Sequence, residues 1–116
     1  YSQTTAQDMA RLMAKLGDCT ILDAELCNYA LDLMRGVTPS QAWGVGAGVG
    51  TGVSVALKNG WSPEDNGWSI NSIGYIEGNG KRYAIAVYTN HDPARQYGID
   101  TIEAIAKQVY AALDPN

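Results

Sequence analysis

Residues 77–81 read Glu-Gly-Asn-Gly-Lys, with a run rich in β-branched and aromatic residues on each side. Asn-Gly tolerates the positive φ that a two-residue hairpin turn demands. The runs 68–77 (WSINSIGYIE) and 82–90 (RYAIAVYTN) are therefore expected to pair as antiparallel strands. A third run, 52–60 (GVSVALKNG), comes before them, and Ser62-Pro63-Glu64-Asp65-Asn66-Gly67 reads as the turn between it and the second. The centre of the chain thus folds as a three-stranded antiparallel meander.

Helical periodicity frames the meander. Met9, Leu12, Met13 and Leu16 recur at three- and four-residue steps over 4–16, with Thr4 or Thr5 opening a capping box and Gly17 ending the helix. A second helix is expected over 23–35, with Asp23 as its cap and Gly36 as its stop. Its apolar stripe reads Leu22, Leu26, Tyr29, Ala30, Leu33 and Met34. The Met residues are read as core filler. A last helix is expected over Thr101–Leu113, capped by Asp100 or Thr101, with Ile102, Ile105, Ala106, Val109 and Leu113 on one face. Two helices, three strands and one helix make an α+β layer, with helices packed on the meander. At 116 residues the chain is a single domain, 1–116.

The formal charge is -4, from 8 Lys+Arg against 12 Asp+Glu, and no basic run exists. That removes the electrostatic footprint of a nucleic-acid or anionic-membrane partner. No apolar run is long enough to span a bilayer, and the N-terminal residues do not read as a signal peptide. Cys19 and Cys27 could pair or could be small buried thiols; the buried-thiol reading is preferred, since one pair is no framework. No His or Cys partners stand at zinc spacing, so neither a metal nor any other cofactor is expected.

The stretch GVGAGVGTGVSVALKNGW (44–61) carries the main chemical question. A Walker loop needs G-x-x-x-x-G-K-[ST], and a dinucleotide fingerprint needs G-x-G-x-x-G ahead of a helix. Here glycine alternates, a strand follows, and Asn59 stands where the hydroxyl residue belongs. A flexible linker is also a poor fit, because Val45, Ala47, Val49 and Val53 are apolar. The remaining reading is a close approach of backbone to a neighbouring element.

A strand ending in Lys58-Asn59-Gly60, followed by a hairpin back into the sheet, resembles the K-T-G element of penicillin-recognising serine enzymes. TTAQDMARLMAKL (4–16), LDLMRGVTPSQAWGVGAGV (31–49) and the helix Thr101–Leu113 resemble successive stretches of class A β-lactamase-like proteins. The resemblance covers essentially the whole chain and corresponds to the C-terminal part of that family's domain. It implies that Lys58 assists binding of a substrate carboxylate. It implies that the backbone N–H of Trp61, after Gly60, is one oxyanion-hole donor. Asn59 departs from the usual Thr or Ser, losing a hydroxyl but keeping donor and acceptor capacity.

The S-x-x-K nucleophile motif is missing: Ser2, Ser40, Ser54, Ser62, Ser69 and Ser72 are followed three positions on by Thr5, Trp43, Leu57, Asp65, Ser72 and Tyr75. The Ser-x-Asn motif is missing too, and His91, the one histidine, reads as a loop residue. The expectation is then that the chain is not an enzyme by itself. It would be a cell-wall-binding module with peptidoglycan as partner, acting at the bacterial wall. Lys58, Asn59, Gly60, Trp61, Trp68 and Tyr97 would form its ligand surface. The local sequence flavour resembles a mycobacteriophage endolysin, whose catalytic domain such a module would hold on the polymer. The alternative is a C-terminal fragment of an active serine β-lactamase or D-Ala-D-Ala peptidase-like hydrolase. Exposed strand edges make a monomer or a weak dimer the expected state.

Overall fold

The structure is a computed structural model that describes residues 2–115. Two helices lead, α1 (Ala6–Gly17) and α2 (Ala24–Arg35). A single 3-10 turn, Pro39–Gln41, and the glycine-rich connection follow. Strands β1 (Ser54–Glu64), β2 (Gly67–Gly78) and β3 (Lys81–Asp92) form one antiparallel sheet in that order, and α3 (Arg95–Ala112) closes the chain. The α+β meander expected from the pattern is the observed architecture.

Local chemistry explains the ends. Thr5 Oγ1 accepts the Asp8 N–H at 3.0 Å, and Asp23 Oδ1 accepts the Leu26 N–H at 2.9 Å, so each leading helix has its side-chain cap. Asn79 and Gly80 sit at φ +52° and +77°, and Gly78 pairs with Lys81, which is the tight hairpin that Asn-Gly announces.

Two boundaries and the state of the cysteines differ from expectation. β1 does not stop at Gly60. It runs on through Trp61, Ser62 and Pro63 to Glu64, and the turn shrinks to Asp65-Asn66. Proline is tolerated because β1 is an edge strand and needs no donor on its open side. α3 starts at Arg95, six positions before Thr101. Ala94 is extended and offers no side-chain cap, so no start signal is written there. Gly98, inside the helix, reads as a breaker; a Cβ on it would lie 2.4 Å from Ile70 Cγ1 and 2.6 Å from Asp92 Oδ2, so its smallness lets α3 settle on the sheet. Cys19 and Cys27 are not free thiols but a disulfide, with Cα atoms 5.4 Å apart. Cys19 has φ +58° just beyond the end of α1, where the chain turns back toward α2.

Side-chain alternation gives the sheet two covered faces. On one, Leu57, Ile70, Ile76 and Ile85 meet Ile99 and Ile102 of α3, with Val45 inserted from the glycine-rich connection. On the other, Ala56 and Tyr75 meet Met13 of α1 and Cys27 and Leu31 of α2. Each such buried aliphatic side chain contributes about 1.5–3 kcal/mol. The stripe expected to bury α2 is only partly the one that does: Ala30 and Met34 are partly buried, and Met34 packs on the cluster. Cys27 and Leu31 face the sheet, while Leu26, Tyr29 and Leu33 are 54%, 63% and 62% exposed. No helix among the described residues is long and apolar enough to cross a membrane.

Candidate functional site

The glycine-rich connection is a packed wall. A Cβ on Gly44 would lie 2.3 Å from Ser72 Oγ, one on Gly46 2.8 Å from Val55 Cγ1, and one on Gly48 2.6 Å from Lys107 Cγ. Backbone therefore lies directly on β1, β2 and α3, and any larger residue pushes it off. The Val45 N–H donates to Ser72 Oγ at 3.0 Å, and the Gly44 N–H donates to Glu103 Oε2 at 3.1 Å. The loop is thereby tied to sheet and helix just before it delivers the chain into β1.

Lys58, Asn59, Gly60 and Trp61 stand consecutively on β1, opposite Ile73, Ser72, Asn71 and Ile70 of β2. Alternation sends Asn59 and Trp61 to the α3 face and Lys58 and Gly60 to the α1/α2 face. Lys58 is exposed, and its Nζ donates to the Asn59 carbonyl at 2.8 Å. Asn59 is only 5% exposed. Its Nδ2 donates to the Gln41 carbonyl at 2.9 Å and to the Trp43 carbonyl at 2.7 Å. The side chain is thus a buried clamp on the loop, and the part of Asn59 left for a ligand is its backbone. Gly60 lies against a neighbouring side chain: a Cβ there would lie 2.6 Å from Asn71 Oδ1, which would have to swing aside.

Trp61 projects beside the start of α3, where Arg95 lies over its ring. Its ring centroid lies 5.9 Å from that of Trp43, with planes tilted by 56°. The Arg95 guanidinium carbon sits 4.9 Å from the Trp61 centroid and 5.5 Å from that of Trp43. A cation over two indole faces is electrostatically favourable. Beside this cluster an open groove of about 320 Å³ is lined by Ser2, Trp61, Ser62, Glu64, Ser69 and Asn71. Another depression lies at the far end of the sheet, around Gly78, Gly80 and Lys81.

The expected ligand surface is therefore partly assembled. Lys58, Gly60 and Trp61 share one accessible stretch of edge strand. Trp68 is half-buried and packs against the α3-side core. Tyr97 is 58% exposed in the first turn of α3. His91 is exposed at φ +57° between β3 and α3. Sequence reasoning missed Arg95 and Trp43. Arg95 escaped because the start of α3 was unreadable. Trp43 offered one signal, its place in the WG pair just ahead of the glycine alternation.

Comparison with known proteins places this geometry. A family model described as the β-lactamase enzyme family matches residues 1–113. The TLA-1 extended spectrum β-lactamase is similar over 93% of this chain and 41% of its own, at 29% identity and a TM-score of 0.81. PBP-A is similar over 94% of this chain and 39% of its own, at 27% identity and a TM-score of 0.71. A β-lactamase from Chitinophaga pinensis shares the fold at a TM-score of 0.83 and 16% identity, over 96% of this chain and 42% of its own. No curated protein matches the chain. The chain thus spans about two-fifths of the length of these solved structures. The expectation that it is not an enzyme is overturned, because the family it matches is an enzyme family and its structural neighbours are β-lactamases and PBP-A. The missing S-x-x-K concerns 116 residues only and cannot speak for a catalytic unit more than twice as long.

Proposed function

Because the chain belongs to the β-lactamase enzyme family, we propose that it forms the C-terminal part of a penicillin-recognising serine hydrolase and supplies one wall of its acyl-transfer site. The observation that carries this reading is Lys58-Asn59-Gly60 on the open edge of β1, held in place by the Asn59 clamp. In the reaction a serine hydroxyl attacks a strained or terminal amide carbonyl, and the carbonyl oxygen gains negative charge before the amine leaves. The Trp61 backbone N–H is the proposed donor to that oxygen. Lys58 is the proposed cation for the substrate carboxylate, its ammonium released from the Asn59 carbonyl when a stronger acceptor arrives.

Two further observations support the reading. A mutant of PBP-A has been captured as an acyl-enzyme complex with penicillin G. Leu26, Tyr29 and Leu33 leave an apolar stripe of α2 open, which fits a helix that packs against more protein in the complete fold. The proposed substrates are β-lactams or peptidoglycan stem peptides, and the proposed place of action is the bacterial wall. The Cys19–Cys27 disulfide supports an oxidising compartment. The endolysin setting draws on local sequence flavour alone.

The test is acylation of the full gene product that contains this chain by a fluorescent penicillin. Covalent labelling is expected, and Lys58→Ala should slow it about ten- to a hundred-fold, the worth of a charge-assisted hydrogen bond. A full product that never labels, or a Lys58→Ala variant that labels as fast as wild type, would overturn the proposal.

A further inference from the structure

We infer that the open face of α2, centred on Leu26, Tyr29 and Leu33, is a docking surface for a separate protein, which lays along it an amphipathic helix whose apolar seam is flanked by Lys or Arg. The surface lies apart from Lys58 and the edge strand, and the inference does not depend on the acyl-transfer reading.

The stripe is preformed. Residues 26, 29 and 33 recur at steps of three and four, which places their exposed side chains along one side of α2. Cys27 and Leu31 turn toward the sheet, so this stripe points away from it. Ile21 and Leu22, also exposed, add apolar surface just ahead of the helix. The helix is fixed at three places. Asp23 caps its first turn, Cys27 is bonded to Cys19, and Arg35 Nε donates to Ser54 Oγ of β1 at 2.8 Å. A partner therefore meets an ordered surface and loses little entropy in ordering it.

Charge selects the occupant. Glu25 and Asp32 stand four residues before and three after Tyr29, so they border the stripe on one side, and both are exposed. Glu25 makes no ion pair among the described residues. Arg35 gives Nη1 to Asp32 at 2.9 Å and Nε to Ser54, yet the Asp32 side chain stays 74% exposed. A helix with Lys or Arg beside its apolar seam meets this border with opposite charge. Two copies of this chain packed antiparallel along the stripe would set the Glu25 and Asp32 border of one against that of the other, like charge on like.

The same border argues for a detachable cover. Carboxylates are almost never fully buried unless paired, so a face made for a permanent interior would not be edged by Glu25 and Asp32. An apolar centre inside a charged, solvated rim is the composition of an exchangeable interface. The protein that closes over this stripe is on these grounds a second chain.

The test titrates the full gene product into labelled, designed helical peptides that share one Leu seam and carry either Lys or Glu on its flanks, read by fluorescence anisotropy. The Lys-flanked peptide is expected to bind at least about tenfold more tightly than the Glu-flanked one, and to weaken as salt rises. Leu26→Ser with Leu33→Ser should weaken it at least about tenfold. Glu25→Lys with Asp32→Asn should erase the preference between the peptides. Circular dichroism of each variant checks that the fold is intact. No binding of the Lys-flanked peptide, equal binding of the two peptides, or an unchanged preference in the charge variant would each overturn the inference. So would a dimer of the full gene product that the Leu→Ser pair dissolves, which gives the face to a second copy. Binding to phosphatidylcholine vesicles that the same pair abolishes would give it to lipid and overturn the inference as well.

Discussion

Asn59 Nδ2 lies 2.7 Å from the Trp43 carbonyl oxygen, sixteen residues back in the chain, and donates to it from a site that is 5% exposed. The same nitrogen also holds the Gln41 carbonyl. One amide therefore sets the distance between the edge strand that carries Lys58 and Gly60 and the loop that carries Trp43.

Asn59→Ala removes both bonds and strands two carbonyls near the core. A loss of about 1–3 kcal/mol in unfolding free energy is expected, reduced somewhat because the buried Asn59 Oδ1 has no partner to lose. Asn59→Thr, with one hydroxyl donor, should lose less. Asn59→Asp should lose more, because an ionised carboxylate would face carbonyl oxygens. Urea denaturation of the three variants gives the order.

Gly44 and Gly52 separate two reasons for glycine. Both have positive φ, +105° and +81°, but a Cβ on Gly44 would lie 2.3 Å from Ser72 Oγ and one on Gly52 meets nothing within 4 Å. Gly52→Ala should cost only the backbone penalty of about 1–2 kcal/mol. Gly44→Ala should cost about 3 kcal/mol or more, since it also breaks the Val45 N–H bond to Ser72 Oγ. Equal midpoints for the two variants would show that the loop is not packed as described.

Much of this fold is legible in local chemistry. Asn79-Gly80 writes its hairpin, and Thr5 and Asp23 write their caps, because each acts within three residues of itself. What stays hidden depends on partners distant in sequence. The α2 periodicity fits two stripes, and only contact with Ala56 and Tyr75 selects the Cys27–Leu31 side. Gly98 looks like a breaker until Ile70 and Asp92 are seen against it. The site shows the same division. Lys58-Asn59-Gly60 is recognisable as a string, but whether Asn59 faces ligand or core depends on Gln41 and Trp43. Arg95 carries no local mark, since its surroundings come from two indoles brought to it by β1 and the loop.

The Cys19–Cys27 bond predicts a chemical and a thermal result. Native chain should show no free thiol to a thiol reagent until reductant is added. The loop it closes has a sequence separation of eight. Chain-entropy arguments assign a loop of that size about 2.5 kcal/mol, which for a domain of this length corresponds to a fall of about 10 °C in Tm on reduction. Scanning calorimetry with and without reductant measures it, and an unchanged Tm would place the constraint elsewhere.

Tyr75 gives the fold a pH limit of its own. Its hydroxyl donates to Asp18 Oδ1 at 3.0 Å, tying β2 to the end of α1. Burial, then the hydrogen bond to Asp18, push its pKa from 10.0 to about 12. The folded state therefore keeps this proton over a range where the unfolded state releases it. The stability it contributes is fully present below about pH 10 and drains away as pH rises toward 12. Tyr83 and Tyr88 are also raised by burial, so the wild-type curve contains more than one group. Tyr75→Phe isolates the one of interest. It removes the ionisable hydroxyl and should flatten the fall of stability between pH 10 and 12, while lowering stability at neutral pH by about 1 kcal/mol for the lost bond. Unfolding free energies of both proteins at steps from pH 8 to pH 12 would show parallel curves if Tyr75 plays no part.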